Sequence, residues 1–97
     1  MKAVFITYNQ ALTEAVDSII ERHHIRGYSK WVDVQGRGTH DGEPHFGTHT
    51  WPALNSAIIA IIEDEKVEPL LSSLKKLDTK VEQQGLRAFV WNIEEMI

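Results

Sequence analysis

The sequence contains no cysteine, which excludes a disulfide framework, a thiolate metal site and a cysteine nucleophile. Any bound metal would have to use imidazole, carboxylate or backbone oxygen. No apolar run approaches the roughly 20 residues that a membrane-spanning helix needs. The opening MKAVFITYN is too short and turns polar too quickly for a secretory signal. The chain is therefore expected to be cytoplasmic and not inserted in a membrane. Positive charge is not concentrated anywhere: ten basic residues are scattered from Lys2 to Arg87 under a net charge of −4. That leaves no electrostatic footprint for a nucleic acid backbone, and nucleic acid is not an expected partner. Internal repeats and low-complexity tracts are absent as well.

What is present is the composition of an ordinary globular domain, 42% hydrophobic and 25% charged over 97 residues. A chain of that size has material for one core, so residues 1–97 are read as a single domain. Lys2 to Tyr8 is short, apolar and β-rich, the pattern of a central strand. From Gln10 the period changes. Leu12, Ala15, Val16, Ile19 and Ile20 form an apolar helical stripe, with Asn9 as the expected N-cap and Gly27 as the expected stop. Tyr28 to Gln35 alternates as a half-exposed strand, with Tyr28, Val32 and Val34 on one face and Ser29, Trp31, Asp33 and Gln35 on the other. Leu54 to Ile62 is apolar on both faces in its second half and reads as another central strand. Val67, Leu70, Leu71, Leu74 and Leu77 make a second helical stripe, whose start Pro69 leaves open. Leu86 to Ile93 is the last strand.

The order β-α-β-β-α-β predicts an α+β, ferredoxin-like fold: a four-stranded antiparallel sheet with two helices on one face. Right-handed crossovers then place the first and third strands in the centre, and these are the two most continuously apolar strands. The other sheet face has no helix to cover it. A set drawn from Phe5, Trp31, Ile59 and Trp91 should lie there, and a bare apolar patch of this kind marks association, so a homo-oligomer with sheets facing one another is expected.

Between the second and third strands lies Gly36 to Pro52, GRGTHDGEPHFGTHTWP. It holds four of the six glycines, two of the three prolines and three of the five histidines. A connection this long inside a compact domain is usually functional or disordered, and it is read as an exposed loop spanning 36–52. His40, His45 and His49, with Asp41 and Glu43 among them, are the residue types of a transition-metal site, although their spacing matches no strong zinc signature. Phe46 and Trp51 flank the end of the loop as candidate contacts for a protein partner. No triad or paired-carboxylate arrangement stands out, and the chain is not expected to be an enzyme. The RNA-binding domains of this topology need aromatic platforms on the central strands, which Leu54 to Ile62 lacks.

A βαββαβ chain whose second strand runs into V-x-G-x-G (Val34, Gly36, Gly38), then a long loop and an apolar strand, and whose last strand reads FVW, resembles the PII signalling family. That resemblance implies a homotrimeric regulatory protein of the kind involved in nitrogen regulation. Its loop, the T-loop, would engage a protein partner such as a transporter or enzyme, and its effector would bind in clefts between subunits beside the loop base. Carried over residue by residue, the ligand set is Gly36, Arg37, Gly38 and Arg87. The family's nucleotide-binding members have a glycine-rich segment ending in lysine before the last strand. LDTKVEQQGLR offers Gly85 alone, with Arg87 at the lysine's place, which argues against ATP or ADP and leaves the effector unidentified. His40 falls where 2-oxoglutarate-sensing members have a glutamine that helps hold magnesium. A histidine there shifts preference from a hard cation towards zinc, copper or nickel, so a CutA-like divalent metal-binding protein using the loop histidines is the alternative.

Overall fold

Val4, Ile6 and Tyr8 are fully buried on one face of β1 (Lys2–Asn9), and this alternation decides the layering of the molecule. β3 (Asn55–Ile62) is antiparallel to β1 with Val4 opposite Ala60 and Ile6 opposite Ile58, so both central strands point the same apolar row at the helices. β2 (Tyr28–Val34) and β4 (Arg87–Asn92) form the two edges, and the strand order is β2-β3-β1-β4. α1 (Thr13–Arg22) contributes Val16, Ile19 and Ile20 to the core, and α2 (Asp64–Lys80) contributes Val67, Leu70 and Leu74. This is the expected ferredoxin-like βαββαβ arrangement, with the first and third strands central. The structure is a computed structural model that describes residues 1–37, 42–81 and 85–97. Among the described residues no helix is long and apolar enough to cross a membrane.

Several local expectations change. The side chain of Asn9 does cap, accepting from the Ala11 N–H at 2.9 Å, but it caps a single 3₁₀ turn (Gln10–Leu12) that precedes α1. α1 stops at Arg22 rather than running on towards Gly27. His24 takes the left-handed conformation (φ 57), and the Ile25 and His24 N–H groups donate back to the carbonyls of Ile20 and Glu21. That is a Schellman stop, sealed by the buried Ile25 side chain. Histidine tolerates φ > 0 better than most side chains, so a glycine is not required there. α2 begins at Asp64, with Asp64 and Glu65 in the first turn where the helix dipole favours them. It keeps Pro69 inside, on the exposed side, at the loss of one backbone donor.

The strict alternation expected for β2 fails near its end. Tyr28 and Lys30 lie opposite Ala60 and Ile58 on the helix face, and Ser29 and Trp31 lie opposite Ile59 and Ala57 on the other. The register then shifts between Trp31 and Val34, and Asp33 adopts φ 58. Its carboxylate accepts from the Gln10 side chain at 2.5 Å, and the Gln10 N–H donates to the Leu54 carbonyl at 3.0 Å. A bulge of this kind bends the strand and re-aims the residues beyond it. Here it directs the chain into the 36–52 loop.

Lys30, on the helix face of an edge strand, is matched by Asp17 of α1, Nζ to Oδ1 2.7 Å. That hydrogen bond raises the lysine pKa above its ordinary value against the opposing effect of burial. Burial in turn raises the Tyr8 phenol. The opposite sheet face carries Ala3, Phe5, Ile59, Ile61, Trp31, Phe89 and Trp91, all in register with one another. Trp31, Phe89 and Trp91 are each about half exposed, at 50%, 47% and 47%.

Candidate functional site

The row Val34, Asn55 and Asn9 crosses the loop end of the sheet, and the 36–52 connection starts from it. One residue beyond β2, the Gln35 side chain donates to the Phe46 carbonyl at 2.9 Å. Gly36 and His45 then exchange both backbone hydrogen bonds, Gly36 N–H to the His45 carbonyl at 2.9 Å and His45 N–H to the Gly36 carbonyl at 2.6 Å. This two-bond bridge pinches the loop shut at its base. A second, smaller closure comes next: Gly47 N–H donates to the Ala53 carbonyl at 3.0 Å and Thr48 N–H to that of Trp51 at 2.8 Å. The Thr48 hydroxyl accepts from the Trp51 N–H at 3.0 Å. Gly47 sits at φ 67, and a Cβ there would lie 2.7 Å from a Leu54 methyl, so this position needs glycine for both conformation and space.

His45, a candidate metal ligand in a polar loop by sequence, is buried, at 7% exposure. Its Nδ1–H donates to Asn55 Oδ1 at 2.6 Å, because a carboxamide oxygen can only accept. Asn55 is itself buried at the start of β3. The pair lies between two glycines. A Cβ on Gly36 would be 2.7 Å from Asn55 Nδ2, and a Cβ on Gly85 (φ 74) would be 3.6 Å from His45 Cε1. The loop base, the start of β3 and the approach to β4 therefore converge on one buried hydrogen bond.

The other expected site residues are spread more widely. Arg37 and His49 are exposed, Phe46 is half-buried and Trp51 is 37% exposed. Gly38 and His40 lie outside the described residues. Among the described residues no three His, Asp or Glu side chains gather into a group able to hold a metal ion. Arg87 opens β4, its guanidinium 5.6 Å from the Phe89 ring centroid, a cation–π distance. Gly36 lies just past one edge strand and Arg87 begins the other, three inter-strand spacings or roughly 14 Å away across the sheet, with Arg87 level with Trp31 along the strands. Within one chain the expected ligand set is thus divided between the two edges of the sheet.

Asn55 and Gly85 were not legible as site residues. A faint sign was available: Asn55 is a polar residue opening an otherwise apolar strand. An open groove of about 560 Å³ between α2 and β4, lined by Leu71, Leu74, Lys75, Leu86 and Arg87 among others, had no sequence sign.

The family described as nitrogen regulatory protein P-II has a sequence model that matches residues 1–97. The chain belongs to the P-II family. Solved structures with the same fold as this P-II chain include CPII from Thiomonas intermedia K12, a nitrogen regulatory PII-like protein. In its complex with ADP, AMP and bicarbonate it is 24% identical, with a TM-score of 0.73 over 95% of this chain and 88% of that one. The same protein bound to ADP and bicarbonate gives 25% identity and a TM-score of 0.75, covering 95% and 84%. A putative PII-like signaling protein from Thermus thermophilus gives 21% identity and a TM-score of 0.69, covering 95% and 85%. No curated protein sequence matches this P-II chain.

Proposed function

We propose that this P-II chain is a non-enzymatic regulatory protein. It assembles as a homotrimer, takes a small effector in the clefts between subunits, and presents loop 36–52 to a protein partner. The single observation that carries this reading is the division of the ligand set. Gly36 and Arg37 belong to one edge of the sheet and Arg87 to the other, so a cleft uniting them is made between neighbouring copies. The bare face with Trp31, Phe89 and Trp91 half exposed supplies the apolar surface for that association. Effector binding would shift the population of loop conformations, and the partner would read the loop, with Phe46 and Trp51 as contacts.

The effector is an anion on this reading, because Arg37 and Arg87 are the charged members of the set. The segment before β4 lacks the glycine-rich run ending in lysine that argued for nucleotides elsewhere in the family, yet CPII binds ADP, AMP and bicarbonate, so these three are the first to test. Isothermal titration of each into the protein, alone and in pairs, should give saturable binding that Arg87→Ala weakens. The same titration showing no binding of any of them up to millimolar concentration would remove adenine nucleotides and bicarbonate as effectors. Deletion of residues 37–50 should abolish partner capture. Unchanged capture would mean that the loop is not what the partner reads.

A second reading, CutA-like divalent metal binding through His40, His45 and His49, is favoured by one observation. With Nδ1 turned to Asn55 Oδ1, Nε2 is the ring nitrogen left to meet a metal, the orientation that ligating histidines take from their outer neighbours. Saturable zinc, copper or nickel binding by tag-free protein, lost in His45→Ala, supports it, and no binding below millimolar removes it.

A further inference from the structure

We propose that His45 and Asn55 are positioning residues. They form the clamp that sets the base of loop 36–52, beside the segment that enters β4. The regulatory meaning of this clamp rests on the function proposed above, but its physical existence does not.

Three observations converge. The Gly36–His45 bridge is only two hydrogen bonds long and is isolated from the sheet ladders. Two backbone bonds flanked by a glycine would fray readily, because glycine adds conformational freedom that must be lost on ordering. What holds the bridge is the ring of its own residue 45, buried and hydrogen-bonded to Asn55, a residue paired with Asn9 and Val34 in the sheet. The loop base is thereby fixed to a central strand by a side chain. The absence of a Cβ at Gly36 is part of the same device, since one there would stand 2.7 Å from Asn55 Nδ2 and displace the carboxamide. Finally, Gly85, held at φ 74 two residues before β4, stands beside the ring: a Cβ there would come to 3.6 Å from His45 Cε1, an ordinary contact distance. A side chain at position 85 would rest against the ring whose hydrogen bond fastens the loop base.

The clamp is tested on ligand-free protein by hydrogen exchange at two amides, Gly36 and His45, which report the bridge directly. The amides of the β1–β3 ladder serve as an internal reference for global stability. Asn55→Ala should speed exchange at both bridge amides by about five- to tenfold, the weight of roughly one net hydrogen bond, relative to the reference. His45→Phe, which keeps a ring but has no donor, should do the same. Asn55→Asp retains an acceptor and should keep both amides protected. The ¹⁵N shifts of the His45 ring should show a protonated Nδ1 in the wild type and lose that signature in Asn55→Ala. Gly85→Ala should shift the His45 Cε1–H resonance and alter protection at Gly36. Bridge amides that exchange as in the wild type in both Asn55→Ala and His45→Phe overturn the clamp. An unmoved His45 resonance in Gly85→Ala overturns the placement of the β4 approach beside the ring. Failure of every candidate effector to bind would instead sink the proposed function and leave these exchange results standing.

Discussion

Replacing Trp91 with lysine tests the bare sheet face most directly. Trp91 lies opposite Ala3 on the face without helices and is 47% exposed in the single chain. A tryptophan side chain presents up to about 250 Å², so roughly 120 Å² remains for a neighbouring copy to cover. At about 25 cal/mol/Å² that area is worth about 3 kcal/mol per chain, slightly more than two decades in an association constant. Lysine at this position keeps its ammonium in water in the free chain and has to lose that hydration on association, which adds to the deficit. The fold itself should survive, because Trp91 lies outside the core between sheet and helices. Analytical ultracentrifugation across a dilution series should show wild-type protein at a multiple of 11.1 kDa. Trp91→Lys should dissociate at concentrations at least a hundredfold higher, with an unchanged circular dichroism spectrum. Wild-type protein sedimenting as a single 11.1 kDa species, or a variant dissociating in parallel with it, would refute the argument from the bare face.

Other predictions concern the core, the helix junction and the loop. Ile58→Ala, at a position with no exposure, should cost about 2–5 kcal/mol in urea unfolding through lost burial and the cavity left behind. A cost below about 1 kcal/mol would mean that β3 is not central. His23 accepts or donates at Nε2 to the Ser73 hydroxyl at 2.7 Å, and burial first, then Arg22 and His24, lower its pKa below the ordinary 6.5. The unfolded chain then binds the proton more readily. The His23 contribution to stability should be complete above pH 6.5 and decline as pH falls through that value towards the lower folded pKa. His23→Gln should flatten the dependence of Tm on pH in this window. Asp17→Ala removes the acceptor of Lys30. Because both side chains are partly exposed, the loss should be about 1 kcal/mol or less, and it should shrink in high salt. Gly47→Ala introduces a Cβ at φ 67 and 2.7 Å from Leu54. It should cost about 1–2 kcal/mol from the left-handed conformation alone and expose 47–53 to faster proteolysis.

How much of this was legible in advance varies with the range of the interaction. The two apolar stripes on α1 and α2 and the alternation of β1 are local periodicities, and they led directly to a one-sided sheet with strands one and three central. The exact stops were less legible. Gly27 carries the general signal for a helix end, yet His24 forms the stop, at positive φ with Ile25 buried against the core just after it. The bulge at Asp33 was equally hidden, and its side chain meets Gln10, 23 residues away in sequence. His45 illustrates the same division at the site. A histidine in a run of glycine, proline and threonine reads as solvated or as a ligand, and only the meeting of Gly36, Asn55 and Gly85 makes it an internal fastening.

The sequence alone therefore determined the element order, the membership of the core and the place of the long loop, because those arise from periods of two and 3.6 residues along the chain. The tertiary structure decided what closes the loop, which histidine is buried and that Arg87 stands on the opposite edge from Gly36. Those relations are contacts between segments distant in sequence, and no local pattern of residue types encodes them.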